Sequence, residues 1–493
     1  MAGPTSDIIV CKFGGSSLAS AAQIRKACAV VRADPARRYV VPSAPGKRDD
    51  HDRKVTDLLY ACHAAAAQMQ GEQGGGGGGD ERFAACFALI RERFEEIAEQ
   101  LSVGADLPHW LEEVRAGIEA EAAAGRGPDF AASRGEYLNG RLLAEALGFA
   151  FVDAADVISF DAGSGGRRLD ETLTYRELAR RLPEEADRCG GAVIPGFYGR
   201  LEEGDPPTRR IRTFGRGGSD VTGAVVARGV GARVYENWTD VSGLLVTDPR
   251  IVDRPAGIGV MTYRELRELS YMGATVLHPE AVFPVRQAGI PMNVRNTNEP
   301  DHPGTMIVAE LSPAEATQTP AASSAADAAQ PAAITGIAGR KDFTVLSLEK
   351  AMMNEQVGYG ERVLGVLSRL EIPFEHMPSG IDTLSIVVSD EELVGKREAL
   401  EQAIREEIQP DNLEIDENLA LIATVGRNMK TKPGRAATLF SSLAAAGVNI
   451  RMIDQGSSEL NIIVGVQTQD FEKAVRAIYR GFMGDADPPR SDR

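Results

Sequence analysis

Apolar and polar residues follow two different rhythms along the first 308 residues. Short apolar runs predict buried strands, and longer stretches with apolar residues every three or four positions predict helices. The predicted strands are residues 8–11, 38–41, 192–194, 233–236, 244–246 and 292–294. The predicted helices are residues 54–68, 82–100, 135–147, 221–228 and 263–270. Because strands and helices alternate, the pattern predicts an α/β sandwich with helices over a largely parallel sheet.

This alternation ends near residue 310. Residues 311–333 are rich in Ala, Ser, Thr and Pro, which predicts a flexible linker. Beyond it, one α+β pattern occurs twice at a constant offset of 76 residues, from Val357 to Pro433. Each copy predicts strand, helix, strand, turn and strand, followed by an amphipathic helix (391–407 and 471–482). We therefore predict domains at 1–310, 334–410 and 411–493, with an approximate boundary near residue 410 because the two copies could share a strand.

Composition narrows the class of protein. Hydrophobic residues make up 43% of the chain and charged residues 25%, which is typical of soluble globular proteins. The net charge of −17 argues against binding to nucleic acid or to an anionic membrane surface. The five cysteines are scattered, which argues against disulfides and zinc sites and for a reducing compartment. With no leader-like start and no membrane-length apolar run, the sequence predicts a cytoplasmic protein. Because its cysteines and histidines are scattered, we also expect no metal site formed by the protein alone.

The first candidate for chemistry directly follows the first predicted strand. Lys12-Phe-Gly-Gly-Ser-Ser17 places a lysine at the strand end and a glycine pair in the turn. Glycines let backbone N–H groups approach a phosphate, and a helix start near Ala19 adds positive dipole. Lys12 could then reach a transferring phosphoryl group. An ordinary strand-to-helix turn explains the glycine pair equally well, so the motif alone does not decide.

A second candidate, Gly215-Arg-Gly-Gly-Ser-Asp220, precedes the predicted helix at 221–228. Ser219 or Asp220 could simply cap that helix. Two glycines beside an arginine at a helix start also form an anion cradle with a bidentate clamp. Because the chain is strongly acidic, each well-placed cation is informative, and we favour an anion site over a cap.

Two further segments are suggestive. Thr239-Asp240 and Asp248-Pro249-Arg250 follow a predicted strand, and open α/β sheets bind ligands at the carboxyl ends of strands. An Asp-Pro pair is equally common in plain turns. Ser133-Arg-Gly-Glu136 opens the predicted helix at 135–147, where Glu136 is either a partner of the helix dipole or a ligand for an ammonium group.

Taken in this order, these segments resemble the aspartate kinase (aspartokinase) family. The resemblance runs from about residue 7 to residue 308, and the tail is similar to the paired ACT domains of that family. It implies the amino-acid kinase fold and the ATP-dependent phosphorylation of the L-aspartate side-chain carboxylate, the first step towards lysine, threonine and methionine. It also implies Mg²⁺ bound mainly through the ATP phosphates. Thr275 stands where many members of the family have lysine.

The resemblance assigns roles to individual residues. Lys12 would stabilise the transferring phosphoryl group, and Asp220 would orient Lys12. The expected aspartate pocket comprises Ser43, Thr56, Glu136, Arg216, Gly217, Gly218 and Ser219. The expected nucleotide site comprises Lys12, Gly14, Gly15, Ser16, Thr239, Asp240, Asp248, Pro249 and Arg250.

The repeated tail is expected to sense an amino acid and to pair subunits. Lysine, threonine or both would be the effector, and the ACT units would form a homodimer or a higher oligomer. We expect the effector pocket near the helix start and second strand of the first copy, at Met352, Met353, Asn354, Gly358, Glu375, Ser379 and Asp382.

Two other functions are compatible with parts of the sequence. A kinase of the same fold acting on glutamate or acetylglutamate is disfavoured by the 215–220 motif combined with the ACT pair. A catalytically dead amino-acid sensor would be expected to lack Lys12, Arg216 or Asp220, and all three are present.

Overall fold

The structure is a computed structural model of the 493-residue chain. The residues that it describes are 7–71, 78–166, 168–204, 208–215, 217–274, 277, 279–311, 334–427, 429, 433–456 and 460–484. Arg216, Thr275 and almost all of the predicted linker lie outside the described residues. The chain divides into two compact units. The first comprises Met1–Leu244, Gly259–Tyr263 and Val276–Ala316, and the second comprises Leu245–Ile258, Arg264–Thr275 and Thr317–Arg493.

The first unit is built on a mostly parallel sheet of eight strands in the order β3-β5-β2-β1-β8-β10-β11-β9, in which β10 and β11 form the antiparallel pair. A smaller sheet has the order β4-β6-β7. The strands are β1 (Ile9–Phe13), β2 (Arg37–Pro42), β3 (Ala150–Phe151), β4 (Ser159–Phe160), β5 (Ala192–Val193), β6 (Tyr198–Glu203), β7 (Thr208–Thr213), β8 (Val234–Thr239), β9 (Val260–Thr262), β10 (Met292–Asn296) and β11 (Thr305–Val308).

Helices connect most of these strands, as the alternating sequence pattern predicts. They are α1 (Ala21–Arg32), α2 (Val55–Gly71), α3 (Gly78–Leu101), α4 (Leu107–Ala123), α5 (Asp129–Leu147), α6 (Ala154–Val157), α7 (Glu171–Cys189), α8 (Gly218–Gly229), α9 (Tyr263–Tyr271) and α10 (Phe283–Ala288). Among the helices described in the chain, none is both long enough and apolar enough to cross a lipid bilayer.

The second unit contains an antiparallel sheet of five strands in the order β13-β12-β14-β16-β15. Its elements are β12 (Gly336–Glu349), α11 (Tyr359–Arg369), β13 (Thr383–Ser389), α12 (Asp390–Leu393), α13 (Arg397–Ala403), β14 (Asn412–Val425), α14 (Arg435–Ala445), β15 (Met452–Asp454), β16 (Asn461–Gln467) and α15 (Phe471–Met483). Both β12 and β14 are 14 residues long. The second half of β12 pairs with β13, whereas the second half of β14 pairs with β16. Two long strands therefore run through both copies of the repeat.

The structure corrects four of the predicted elements. The second strand predicted in the first copy of the repeat is replaced by single bridges from His376 to Val387 and from Ser379 to Leu384. Residues 244–246 do not form a strand, since Leu245 makes a single bridge to Gly257. Helix α5 begins at Asp129 rather than at residue 135. The helix predicted at 391–407 is broken between α12 and α13, where Gly395 has a φ of +70°, a backbone conformation that glycine adopts without strain.

Candidate active site

Lys12 lies at the carboxyl end of β1, a strand that is buried along its whole length between β2 and β8. Its Nζ lies 2.6 Å from Oδ1 of Asp220, in the first turn of α8. Asn237 Nδ2 donates to the same oxygen at 2.8 Å. Lys12 is 7% exposed, so its ammonium has little water around it and depends on the carboxylate for compensation. The structure thus brings the two expected catalytic residues together and adds Asn237.

Asn237 was not among the predicted site residues, although the strand pattern contains a signal for it. Lys12 on β1 and Asn237 on β8 are direct neighbours in the parallel register of these strands. Parallel strands place their carboxyl ends at the same edge of a sheet, where ligands bind. A polar residue at the end of one such strand is therefore expected to face the residue at the end of its neighbour.

The turn after β1, which we call the β1 loop (residues 14–20), lies against the lysine. The N–H of Gly14 donates to the Trp238 carbonyl at 2.9 Å. A Cβ added to Gly14 would lie 3.6 Å from Lys12 Nζ. Ser16 begins a short 3₁₀ turn, and α1 begins at Ala21 rather than near Ala19.

The segment after β2, which we call the β2 loop (residues 43–54), is in direct backbone contact with the β1 loop. The N–H of Gly46 donates to the Gly15 carbonyl at 2.8 Å. A Cβ added to Gly46 would lie only 2.6 Å from the carbonyl carbon of Gly15. Ser43 lies at the start of the β2 loop, and Thr56 follows the loop in the first turn of α2.

Glu136 is a buried carboxyl group on α5. Burial raises its pKa to about 8, against the smaller opposing effects of the Ala44 N–H and of the charges on Arg134 and Lys12. Its Oε2 atom is buried without a hydrogen-bond partner among the described residues. A buried polar atom without a partner is rare in proteins and calls for an explanation, such as a bound water, an ion or a ligand. One turn along α5, Asn139 donates to the Ser43 carbonyl at 2.7 Å, which ties the helix to the β2 loop.

The 215–220 segment is described on either side of Arg216. Gly217, in a left-handed conformation with φ of +77°, is the N-cap of α8, and no side chain among the described residues caps the helix. The capping role considered for Ser219 and Asp220 is therefore not what the structure shows. Gly218 and Ser219 begin α8 as buried residues, and Ser219 packs against Gly196.

The residues expected to bind nucleotide fall into two groups. Thr239 ends β8, and its hydroxyl donates to the Asp240 carboxylate at 3.2 Å. Asp248, Pro249 and Arg250 belong to the second compact unit. There the Arg250 guanidinium, 2.6 Å from the Asp248 carboxylate, holds the pKa of that carboxyl below its usual range.

The expected effector residues are partly brought together. The Met352 N–H donates to Asp382 Oδ1 at 2.8 Å, and Met352 has a φ of +57°. Glu375 lies elsewhere: its N–H pairs with the Val387 carbonyl, and its carboxylate lies 3.2 Å from Arg340. The remaining members of the set are Met353 and Asn354 in a short 3₁₀ turn, Gly358 at the N-cap of α11, and Ser379 in a bridge to Leu384.

Comparison with known proteins decides the family. The model of the amino acid kinase family matches residues 7–296, and an ACT domain model matches residues 422–482. Aspartokinase 3 of Bacillus subtilis is 36% identical over 484 residues, which cover 96% of this chain and 98% of that protein. The chain belongs to the aspartokinase family. As a member of that family it is an aspartate kinase with a C-terminal ACT region.

Two solved aspartokinases have similar structures. Clostridium acetobutylicum aspartate kinase is 47% identical, with a TM-score of 0.81 and coverage of 96% of this chain and 100% of that chain. Escherichia coli aspartokinase III has been solved with aspartate and ADP in an R-state and with lysine and aspartate in a T-state. It is 26% identical, with TM-scores of 0.69 and 0.68 and coverage of 97% of this chain and 100% of that chain.

Proposed function

We propose that this aspartokinase transfers the γ-phosphoryl group of ATP to the side-chain carboxylate of L-aspartate at the Lys12–Asp220–Asn237 cluster. A carboxylate oxygen of aspartate forms a bond to the γ-phosphorus. The bond from that phosphorus to the β–γ bridging oxygen breaks, and ADP leaves with the electron pair. The products are 4-phospho-L-aspartate and ADP. The observation that carries the proposal is the nearly buried ammonium held beside a glycine turn at the carboxyl end of β1.

Phosphoryl transfer of this kind depends on position and charge more than on acid–base chemistry. The side-chain carboxylate of aspartate is ionised at neutral pH, so it attacks without a general base. Lys12, oriented by Asp220, stabilises the negative charge of the group in transfer. The backbone at Gly14, Gly15 and Ser16 binds the phosphates, since the two glycines leave the N–H groups accessible.

Mg²⁺ is expected to reach the site with the nucleotide. Within the described residues, no group of three or more His, Cys, Asp or Glu side chains is arranged to hold a metal ion. Mg²⁺ usually retains several waters and binds through substrate phosphates together with one or two carboxylates. When bound, it neutralises phosphate charge. Thr239, Asp240, Asp248, Pro249 and Arg250 are proposed to bind the remainder of the nucleotide.

The aspartate pocket is proposed to form around Glu136. The unpartnered Oε2 of Glu136 would accept from the α-ammonium of aspartate, and Arg216 would bind a carboxylate through two parallel hydrogen bonds. Ser43 and Thr56 would complete the pocket, and Gly217, Gly218 and Ser219 would keep the backbone close to the substrate. The crystallised complex of the E. coli relative with aspartate and ADP, the product nucleotide, supports aspartate and an adenine nucleotide as the ligands of this site.

The ACT region is proposed to bind an amino-acid effector and to join subunits. The E. coli relative crystallised with lysine supports lysine as the first candidate, with threonine as the other. Met352, Met353, Asn354, Gly358 and Asp382 form the proposed pocket, together with Ser379. Glu375, whose N–H donates to the Val387 carbonyl of β13, is proposed to act through Arg340.

The function is tested by substrate choice. Initial rates of ADP formation are measured with Mg-ATP and L-aspartate, L-glutamate or N-acetyl-L-glutamate, each at several concentrations. We expect kcat/KM to be highest for aspartate by a large factor. A higher kcat/KM for L-glutamate or N-acetyl-L-glutamate would show that aspartate is not the preferred substrate. If none of the three compounds led to ADP formation, the kinase function would be excluded.

A further inference from the structure

A buried arginine from α3 bonds to both loops of the proposed active site. Arg93 Nη1 donates to the Ala19 carbonyl of the β1 loop at 3.3 Å and to the Gly46 carbonyl of the β2 loop at 3.0 Å. Its Nη2 forms an ion pair with Asp52, also in the β2 loop. The side chain of Arg93 is 5% exposed. One guanidinium therefore links two chain segments that are distant in sequence.

Asp52 holds the second terminal nitrogen of the Arg93 guanidinium. Burial alone would raise the pKa of its carboxyl. The N–H and guanidinium of Arg48 and the guanidinium of Arg93 nevertheless hold that pKa well below its usual range. The Arg48 N–H donates to Asp52 Oδ2 at 2.9 Å. The β2 loop is thus closed on itself by Arg48 and Asp52, and Arg93 attaches the closed loop to the β1 loop.

The contact that Arg93 maintains is one that the proposed chemistry requires. The β1 loop carries Gly14, Gly15 and Ser16 for the phosphates, and the β2 loop carries Ser43 for aspartate. In-line transfer needs the two substrates at a defined separation, and an error of about 1 Å can cost roughly a hundredfold in rate. The Gly15–Gly46 backbone hydrogen bond joins the loops at one point. The planar guanidinium of Arg93 adds hydrogen bonds to two carbonyls and an ion pair with a carboxylate.

We propose that Arg93 is a positioning residue for phosphoryl transfer, holding the β1 and β2 loops at the separation that the reaction needs. This inference rests on the proposed function for its kinetic consequence, whereas its structural consequence is independent of the substrate. Arg93 does not touch substrate and acts through the two loops. It also gives α3 a role in the active site, although α3 carries none of the motifs from which the site was predicted.

Arg200 provides a matched control away from the site. Its Nη1 donates to the carbonyls of Ala155 at 3.1 Å and Asp156 at 2.8 Å. Its Nε lies 3.3 Å from the Glu202 carboxylate, and its side chain is 13% exposed. Arg93 and Arg200 thus share burial and a set of two carbonyls and one carboxylate, but Arg200 bonds within the small sheet and α6.

The experiment compares R93K and R200K with the wild-type protein. Lysine keeps the charge but cannot donate to three acceptors in the arginine geometry. We expect both variants to lose comparable thermal stability. R93K should lose kcat by between roughly tenfold and a hundredfold, while its dissociation constants for ADP alone and aspartate alone change less than kcat. R200K should keep wild-type kcat. If R93K keeps wild-type kcat, or if R200K loses as much kcat as R93K, the proposal fails.

Amide hydrogen exchange separates this inference from the proposed function. In R93K, peptides covering residues 14–20 and 43–54 should exchange faster together, and in R200K both should exchange at wild-type rates. Unchanged exchange of these peptides in R93K overturns the positioning role, whether or not the wild-type protein phosphorylates aspartate. A wild-type protein inactive on aspartate, with faster loop exchange in R93K, would contradict the proposed substrate and leave the role of Arg93 supported.

Discussion

Lys12 and Glu136 are both ionisable groups that the protein buries, but they meet different partners. Lys12 has a carboxylate at 2.6 Å, so its charge is compensated before any substrate binds. Glu136 Oε2 has no partner among the described residues, and burial raises the pKa of its carboxyl to about 8. We therefore expect Lys12 to act on a charge in transfer and Glu136 to be completed by a cation.

The Lys12→Ala variant should lose kcat by on the order of a hundredfold or more, because a preorganised charge beside the transferring group is removed. The measurement is kcat under saturating Mg-ATP and aspartate, together with circular dichroism to establish that the variant is folded. Lys26→Ala is the control, since Lys26 is an exposed lysine on α1 bonded to Asn298. Near wild-type kcat in Lys12→Ala would show that Lys12 is not catalytic.

Aspartate binding should release a proton from Glu136 at pH 7. In the folded protein the Glu136 carboxyl is protonated below about pH 8. Its contribution to the free energy of unfolding decreases as the pH rises from about 4.3, the ordinary pKa of a glutamate, towards 8. The α-ammonium of aspartate requires the ionised form, so affinity for aspartate should increase as pH rises to about 8. Calorimetry in two buffers of different ionisation enthalpy measures the released proton.

The control for this proton release is Glu136→Gln, which has no ionisable group at this position. In this variant the proton release should disappear, and the affinity for aspartate should no longer depend on pH in this range. Proton release that persists in Glu136→Gln would assign the titration to another group.

At the scale of elements, the ends of strands and helices were predicted where the local sequence decides them. β1, β8 and α8 were predicted near their observed positions because their apolar runs are flanked by glycine turns. The start of α5 was missed because Gly135 suggested a boundary, whereas a Cβ at this position would lie 2.7 Å from Ala44 Cβ. Gly135 is a close-packing position within a helix. Asn237 and Arg93 were missed because strand register and helix packing, not neighbouring residues, bring them to the site.

The contact between the β1 and β2 loops predicts the effect of a single methyl group. In Gly46→Ala, the new Cβ would lie 2.6 Å from the Gly15 carbonyl carbon and 2.8 Å from the Ser16 nitrogen, so backbone must shift. We expect kcat to fall roughly tenfold or more as the loops separate. Gly127→Ala is the control, since its Cβ would meet nothing closer than an Asp129 oxygen at 4.0 Å. Equal kcat for the two variants would contradict the account of this contact.

At the scale of the molecule, the second unit includes segments that the sequence placed in the catalytic domain. Within that unit, Glu265 of α9 pairs with Arg427 at 3.0 Å, and Asn461 donates to Glu268 at 2.7 Å. The Ile337 N–H donates to the Val246 carbonyl at 2.6 Å. These pairings join residues more than 80 positions apart, which no local pattern reveals. The repeat, in contrast, was visible at its constant offset because both copies keep the same order of apolar positions.

A chain that ends at Glu310 should be less stable than the whole protein. It keeps residues 245–258 and 264–275 but removes the strands and loops of the second unit with which they pair. Glu265 would lose its ion pair with Arg427 and the hydrogen bond that it accepts from Thr335. Thermal unfolding and the soluble yield of the two chains measure the effect. A shortened chain as stable as the whole one would contradict the pairing of these segments with the second unit.

The regulatory proposal is therefore best tested in the whole chain. Asp382→Ala removes the acceptor of the Met352 N–H and should raise the half-inhibitory concentration of the effector, lysine or threonine, by roughly fivefold or more. The uninhibited kcat should stay near the wild-type value. Asp390→Ala is the control, because the Asp390 carboxylate at the start of α12 accepts a hydrogen bond from Thr344 of β12 and is not part of the proposed pocket. Unchanged inhibition in Asp382→Ala would place the effector pocket elsewhere.

The most direct test of the proposed chemistry identifies the product. The wild-type protein is incubated with Mg-ATP, L-aspartate and hydroxylamine, which converts an acyl phosphate into a hydroxamate, and the product is identified by mass spectrometry and NMR. We predict aspartate hydroxamate at the side-chain carboxyl, formed in a one-to-one ratio with ADP and at a rate on the order of a hundredfold lower in Lys12→Ala. Hydroxamate at the α-carboxyl, ADP without hydroxamate, or full activity in Lys12→Ala would contradict the account.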